Sequence, residues 1–241
     1  MGARKLGIKK SSIYLCAPVN ALVEGIYEEK IPFTEIKKHG DFGLGTFDHL
    51  DGEMVMLDGH IYQINWDGFV HEVNEQALTP FAAVTFFNPV KEAASAAEMN
   101  YDEFLSWLQG FMPSTNIFYA LRIEGIFTSI KARSVPRQEN YRPLAEVANE
   151  QHVFDYNDVE GTLAGFYTPE FMSSLSVPGF HLHLLSRDKK KGGHLLSCRP
   201  RQVHLSLQFI NTLELALPMS WDYLHLDFHR DTGKDLEIME K

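Results

Sequence analysis

The sequence is short of cysteine, of positive charge and of long apolar runs. Its only two cysteines, Cys16 and Cys198, lie far apart. This excludes a disulfide-stapled scaffold and a four-cysteine zinc site, and it favours two reduced thiols. Lys and Arg number 22 against 32 Asp and Glu, so the net charge is −10. A chain this acidic binds polyanions poorly, and we expect no nucleic-acid partner. A small anionic substrate is not excluded, because a few inward-facing cations are enough to bind one.

Apolar residues never run long enough to predict a membrane segment. No stretch approaches the roughly 18 consecutive apolar residues that a membrane span takes. The apolar patch at residues 13–23 is interrupted by Pro18 and Asn20, and its longest unbroken part is too short for the apolar region of a signal peptide. We therefore expect a cytoplasmic protein with no membrane partner.

Turn signals are frequent and regularly spaced. Residues 42–72 contain three Asp-Gly pairs between short runs rich in Val, Ile, Tyr or Phe. Because Asp-Gly supplies the positive φ angles of tight hairpin turns, this region predicts an antiparallel meander. One further hairpin is predicted to turn at Glu124-Gly125, between strands at 117–123 and 126–133. A helix is predicted over 93–111, with Asn100 as a cap. The other predicted strands are 81–87, 153–156, 161–167, 180–187, 194–199 and 201–209.

Length and strand content together predict the fold class. A chain of 241 residues fits one large domain or two small ones. Many short strands with few short helices indicate an α+β, β-rich protein of two intimately packed, sheet-containing domains. Pro136 and Pro143 lie in polar surroundings and mark the candidate junction. We predict a mixed α/β meander domain at 1–140 and a β-rich domain at 141–241.

Three of the eleven histidines have a spacing that points to chemistry: His181, His183 and His194. Residues two apart on a strand face the same side, so His181 and His183 are neighbours. The charged segment 187–191 followed by Gly-Gly predicts a hairpin, which places His183 opposite His194. Side chains that oppose each other in this way are separated by about 4.5–5.5 Å at Cβ, a distance at which imidazoles can share one ion.

Three imidazoles without a thiolate suit Zn²⁺ or another divalent transition metal. Three protein ligands leave coordination positions open, which is typical of a catalytic site. A strand with alternating histidines is also found as the plain polar face of a sheet, and a bulge in the turn would move His194 to the other side.

Other polar candidates are Glu53, directly after an Asp-Gly turn, and Arg133 and Arg137. The sequence has no nucleophile motif and no glycine-rich phosphate loop.

Three segments resemble the α-acetolactate decarboxylase family over nearly the whole chain. They are DFGLGTFDHLDGEMVMLDG, KARSVPRQ, and EGTLAGFYTPEF followed by VPGFHLHLLS and GGHLLSC. The resemblance implies a two-domain β-rich fold, commonly dimeric, so a homodimer is an expectation here. It also implies a zinc-dependent lyase that converts 2-acetolactate to acetoin and CO₂, in acetoin biosynthesis.

The family's zinc ligands correspond to His181, His183 and His194, the trio that strand geometry also selects. Its active-site glutamate, threonine and arginine correspond to Glu53, Thr46 and Arg133. A family glutamate near the C-terminus corresponds to Glu240, with Glu237 as the alternative, and this implies a tail that returns to the active site.

The implied mechanism is loss of CO₂ to a zinc-stabilised enediolate. Arg133 or Arg137 holds the carboxylate, and Glu53 or a tail glutamate delivers a proton. Two alternatives remain at this point. One is another three-histidine zinc or iron enzyme, either a hydrolase or a dioxygenase. The other is a non-catalytic, metal-lined protein that binds a small molecule.

Overall fold

The structure is a computed structural model, and it describes residues 10–229 and Asp235. Fourteen strands and five short α-helices are assigned in these residues. The strands are β1 (Ser12–Leu15), β2 (Ile31–Pro32), β3 (Phe42–Thr46), β4 (Glu53–Leu57), β5 (His60–Ile64), β6 (Val70–Val73), β7 (Leu78–Thr79), β8 (Ala82–Thr85), β9 (Lys91–Ser95), β10 (Phe118–Ser134), β11 (His152–Thr168), β12 (Gly179–Ser186), β13 (Gly192–Ile210) and β14 (Thr212–Leu215). The helices are α1 (Val19–Val23), α2 (Phe33–Ile36), α3 (Tyr101–Gln109), α4 (Leu144–Val147) and α5 (Trp221–His225).

The first sheet has seven strands in the order β14-β1-β8-β3-β4-β5-β6. Asp58 and Gly59 connect β4 to β5, with φ angles of 51° and 78°. The flanking residues Leu57 and His60 pair with each other, so this is a two-residue hairpin of the kind that Asp-Gly favours. The predicted meander is therefore confirmed over β3 to β6.

The second sheet has five strands, and four of them pair in a closed cycle. Strand β10 pairs with β11 and with β13, while β12 pairs with β11 and β13, and β9 adds to the other edge of β13. All these pairings are antiparallel. The cycle encloses an apolar core that includes Phe127, Leu163 and Leu205.

The hairpin predicted at Glu124-Gly125 is wrong. These residues lie inside one continuous strand, β10, where Gly125 pairs with Gly161 on one side and Val203 on the other. A Cβ atom at Gly125 would lie 2.1 Å from the carbonyl oxygen of Gln202. The glycine thus permits close strand approach, a use that sequence alone does not distinguish from a turn.

Three other predicted boundaries also change. The predicted helix over 93–111 is confirmed only over α3, which begins after the capping box of Asn100 and Glu103. Residue 93 belongs instead to β9, which pairs with β13. The segments predicted as separate strands at 153–156 and 161–167 form the single strand β11, and those at 194–199 and 201–209 form β13.

The two large sheets pack against each other. Leu44 and Phe42 from the first sheet share a buried cluster with Ala164 and Phe166 from the second. The rings of Phe42 and Phe166 meet edge to face, with centroids 6.1 Å apart. The predicted β-rich fold with several sheets and few short helices is confirmed.

The domain division stays a prediction. The five-stranded sheet contains β9 and β10 from before residue 140, and β11, β12 and β13 from after it.

Both cysteines are free and buried, as expected. None of the helices in residues 10–229 has the length and apolar composition needed to cross a membrane.

Candidate active site

Three histidine side chains converge where β12 and β13 pair. His183 pairs with His194, as the predicted hairpin requires, and His181 lies two residues earlier on the same face. The ring centroids are 5.0 Å apart for His181 and His183, 4.9 Å for His181 and His194, and 5.3 Å for His183 and His194. One ring nitrogen from each lies within 4.8 Å of the others. The three form a candidate metal-binding cluster.

Burial keeps two of these imidazoles neutral. His183 and His194 are each 1% exposed, whereas His181 is partly exposed. Burial, followed by repulsion from His194, lowers the pKa of His183 well below its usual range. Burial and the positive charge of Arg133 likewise lower the pKa of His194 well below its usual range. A neutral imidazole keeps the lone pair with which it binds a metal.

The tautomer of His183 follows from its hydrogen bond. Its Nδ1 atom lies 2.8 Å from the carbonyl oxygen of Met54, which can only accept a hydrogen bond, so Nδ1 carries the proton. The Nε2 atom then presents its lone pair toward His181. A backbone carbonyl that fixes the ring in this way is a common feature of metal-binding histidines.

The spacing of the nitrogens fits a transition-metal ion. The Nε2 atoms of His181 and His183 are 3.2 Å apart. Two nitrogens each about 2.0–2.1 Å from a tetrahedral ion lie about 3.3 Å apart. Three nitrogen ligands suit zinc and related divalent metals, and they leave a coordination position for a substrate.

A buried ion pair lies beside the histidines. Arg133 is on β10, opposite His194, and Glu53 begins β4. The Arg133 guanidinium donates to Glu53 Oε1 over 2.8 Å, and both side chains are more than nine-tenths buried. The other carboxylate oxygen, Oε2, lies 3.4 Å from Nε2 of His183. The pair therefore connects directly to the histidine cluster.

Thr46 lies next to Glu53, on the neighbouring strand β3. It ends β3 and pairs with Glu53 across the β3–β4 ladder. Its hydroxyl donates to the carbonyl oxygen of Gly52 over 2.7 Å, which leaves the oxygen lone pairs as acceptors. The structure thus brings six of the predicted site residues to one place. These are Thr46, Glu53, Arg133, His181, His183 and His194.

Two sets of predicted residues are not brought into this site. Arg137 is exposed and does not line the pocket. Glu237 and Glu240 lie outside the described residues, so their place in the fold stays a prediction. The catalytic roles of the six converging residues are likewise proposals.

The six residues line a pocket of about 520 Å³, including its open mouth. The rest of its lining is apolar, and we call the seven side chains that form this part of the lining the apolar cap. They are Val19, Leu22, Leu50, Phe81, Val135, Leu144 and Val177. All seven belong to one buried cluster, separate from the clusters of the two sheets. The pocket is therefore polar toward the strands and apolar toward the cap.

Residues 13–230 of the chain match the sequence model of the alpha-acetolactate decarboxylase family. A protein of that name from Methanosarcina mazei is 40% identical over 230 residues, which is 95% of this chain and 80% of the relative. One from Methylococcus capsulatus is 37% identical over 98% of this chain and 91% of the relative.

The chain belongs to the alpha-acetolactate decarboxylase family. A crystal structure of alpha-acetolactate decarboxylase from Bacillus subtilis superimposes with a TM-score of 0.92 at 33% identity, covering 95% of this chain and 99% of that one. The resemblance found in the sequence is confirmed, and so is the prediction of an enzyme of the carboxy-lyase class.

Sequence reasoning missed the apolar cap of this decarboxylase-family chain. Its seven residues come from separate segments between residues 19 and 177, with no common periodicity. Val19 and Leu22 lie on α1, and Leu144 begins α4. Their shared signal, short apolar patches in loops and short helices, does not reveal which side chains meet.

The described residues contain a second group of possible ligands. Glu28, His49 and Glu139 bring one ligand atom each within 4.8 Å of the others. Glu139 is exposed, and exposed acidic groups are common without an ion. We assign this group no role.

Proposed function

We propose that this enzyme converts 2-acetolactate to acetoin and CO₂, with a zinc ion held by His181, His183 and His194. The observation that carries the proposal is the convergence of three imidazoles, two of them kept neutral by burial, with a buried Arg–Glu pair in one pocket. Membership of the alpha-acetolactate decarboxylase family supplies the substrate class.

The substrate is a β-keto acid with a tertiary hydroxyl group next to its ketone. A divalent ion held by the three histidines would supply Lewis-acid chemistry to the substrate. Thr46 can accept a hydrogen bond from the substrate hydroxyl, because its own hydroxyl group already donates to the carbonyl oxygen of Gly52.

Arg133 binds the substrate carboxylate in this proposal. A guanidinium has five N–H donors, so it can hold a forked pair of bonds to a carboxylate as well as its bond to Glu53. Its burial strengthens the interaction, because there is little water to screen it. Arg137, the alternative from the sequence, is exposed and outside the pocket lining, which favours Arg133.

A side chain must also deliver a proton to the reaction intermediate. When the bond to CO₂ breaks, its electron pair moves toward the former ketone and leaves an enediolate. A proton then adds to the hydroxyl-bearing carbon, which forms acetoin with a new stereocentre. Glu53 lies in the pocket and beside His183, so it can act on that carbon. A tail glutamate, Glu240 or Glu237, is the alternative donor.

Assembly and location are also part of the proposal. Strand β6 is an edge of the seven-stranded sheet and can pair with a second copy, which supports a homodimer. Two buried free thiols agree with a reducing, cytoplasmic location. Light scattering of the purified protein tests the dimer, because a homodimer doubles the chain mass of 27.5 kDa.

The experiment for the activity follows both products. Purified protein is incubated with 2-acetolactate, and acetoin, CO₂ and dissolved oxygen are measured together. The proposal predicts equal amounts of acetoin and CO₂ without oxygen uptake, loss of both after chelation, and recovery with Zn²⁺. Oxygen uptake would indicate a dioxygenase, and bound but unchanged substrate would indicate a binding protein. Full activity in a demonstrably metal-free sample would refute zinc dependence.

A further inference from the structure

The active-site pocket has two chemically different walls. The polar wall comes from the strands and carries the histidines, Glu53, Arg133 and Thr46. The apolar cap forms the rest of the lining. The cap includes two leucines from short helices, Leu22 on α1 and Leu144 on α4. The function of this second wall is not explained by the steps of decarboxylation.

The chemistry of the substrate matches this division. On the proposed function, on which this inference rests, its ketone, hydroxyl and carboxylate all bind the polar wall. What remains are two methyl groups, one on the hydroxyl-bearing carbon and one on the acetyl group. These methyl groups then face the apolar cap, where burial of apolar surface favours them.

We propose that the apolar cap, through Leu22 and Leu144, limits the length of the substrate's alkyl groups and so selects 2-acetolactate over longer homologues. A wall can exclude one extra methylene only if the surrounding structure does not yield. Leu22 is 7% exposed and Leu144 is 4% exposed, so both are packed from behind as well as facing the pocket. Their cluster contains further side chains that do not line the pocket, including Val23 and Val147.

Hydrogen bonds hold the two helices in place. The Tyr27 hydroxyl donates to the carbonyl of Arg142 over 2.7 Å, and the Tyr141 amide donates to the carbonyl of Gly25 over 2.7 Å. These bonds join the segment after α1 to the segment before α4. Because the segments are tied, truncating a cap leucine is expected to leave space in the pocket instead of letting the wall collapse.

The helices supply matched controls. Val23 and Val147 lie on α1 and α4, belong to the same cluster and are fully buried, but they do not line the pocket. Their truncation perturbs the same helices and the same packing. A change in substrate preference that appears in the leucine variants and not in the valine variants therefore reports on the wall itself.

The experiment compares kcat/KM for 2-acetolactate with that for two homologues, each one methylene longer at one of the alkyl groups. It uses zinc-loaded parent protein and the variants Leu22→Ala, Leu144→Ala, Val23→Ala and Val147→Ala. One methylene in an apolar pocket changes kcat/KM by about 10- to 200-fold. We expect the ratio of at least one homologue to 2-acetolactate to rise about tenfold or more in each leucine variant and less than twofold in the valine controls.

Val177→Leu, which adds a methylene to the same wall, should lower the homologue ratios, and it gives a second test if an alanine variant fails to fold. Unchanged ratios in the folded leucine variants and in Val177→Leu, with an active parent, would overturn this inference alone. A zinc-loaded parent that does not convert 2-acetolactate would overturn the proposed function, and this inference with it.

Discussion

Replacing Glu53 with glutamine tests the buried ion pair and the proposed proton donor in one variant. The change keeps the size of the side chain but removes its charge. Glu53 and Arg133 are 2.8 Å apart, with side chains 7% and 5% exposed. Two unit charges at that distance attract by about 6 kcal/mol at an effective dielectric constant of about 20, before any desolvation cost.

The net effect on stability is smaller than this attraction. Removing one partner of a buried pair costs about 3–5 kcal/mol, because the other charge stays buried without compensation. Glutamine keeps one oxygen that accepts from Arg133, so we expect about 3 kcal/mol. Turnover should fall by about 10²- to 10⁴-fold, the range typical of losing a general acid. Bound zinc should be retained, because the three histidines are unchanged.

Urea unfolding, metal analysis and an acetoin assay measure these three outcomes. Glu72→Gln is the control, since Glu72 pairs with His60 on an exposed surface of the same sheet, and it should change none of them measurably. An unfolding free energy within about 0.5 kcal/mol of the parent would contradict the argument from burial. Normal turnover in Glu53→Gln would exclude Glu53 as the proton donor and leave Glu237 or Glu240.

Three further changes have clear expected outcomes. His183→Ala should abolish tight zinc binding by equilibrium dialysis, whereas His60→Ala, at an exposed site, should not. Arg133→Lys should weaken substrate binding, seen as a KM at least tenfold higher, because a lysine cannot form the forked pair; a similar rise in Arg137→Lys would contradict this assignment. Gly125→Ala should lower the unfolding free energy by about 3 kcal/mol, because its new Cβ would lie 2.1 Å from a backbone oxygen of β13. An unfolding midpoint equal to that of the parent would show that β10 and β13 can move apart at this position without cost, which would contradict the prediction.

Local patterns predicted the histidine cluster and the meander because each depends on short-range geometry. The register of His183 against His194 follows from strand alternation and one short turn. The turn at Asp58-Gly59 follows from the φ angles that its residues adopt.

The full length of the long strands could not be predicted from local signals, which divided each of them into two. Glycine within β10 resembles a turn in sequence, and only its two strand neighbours show that it permits close packing. The apolar cap depends on contacts between segments more than 100 residues apart, such as Leu22 and Leu144. Such contacts leave no periodic pattern in the sequence.

Anomalous diffraction at the zinc edge, from a crystal of the zinc-loaded protein, shows directly whether the three histidines bind the ion. We predict one strong peak for each chain between the rings of His181, His183 and His194. A fully loaded protein with no peak there, or with its only peak at Glu28, His49 and Glu139, would contradict zinc binding by the three histidines.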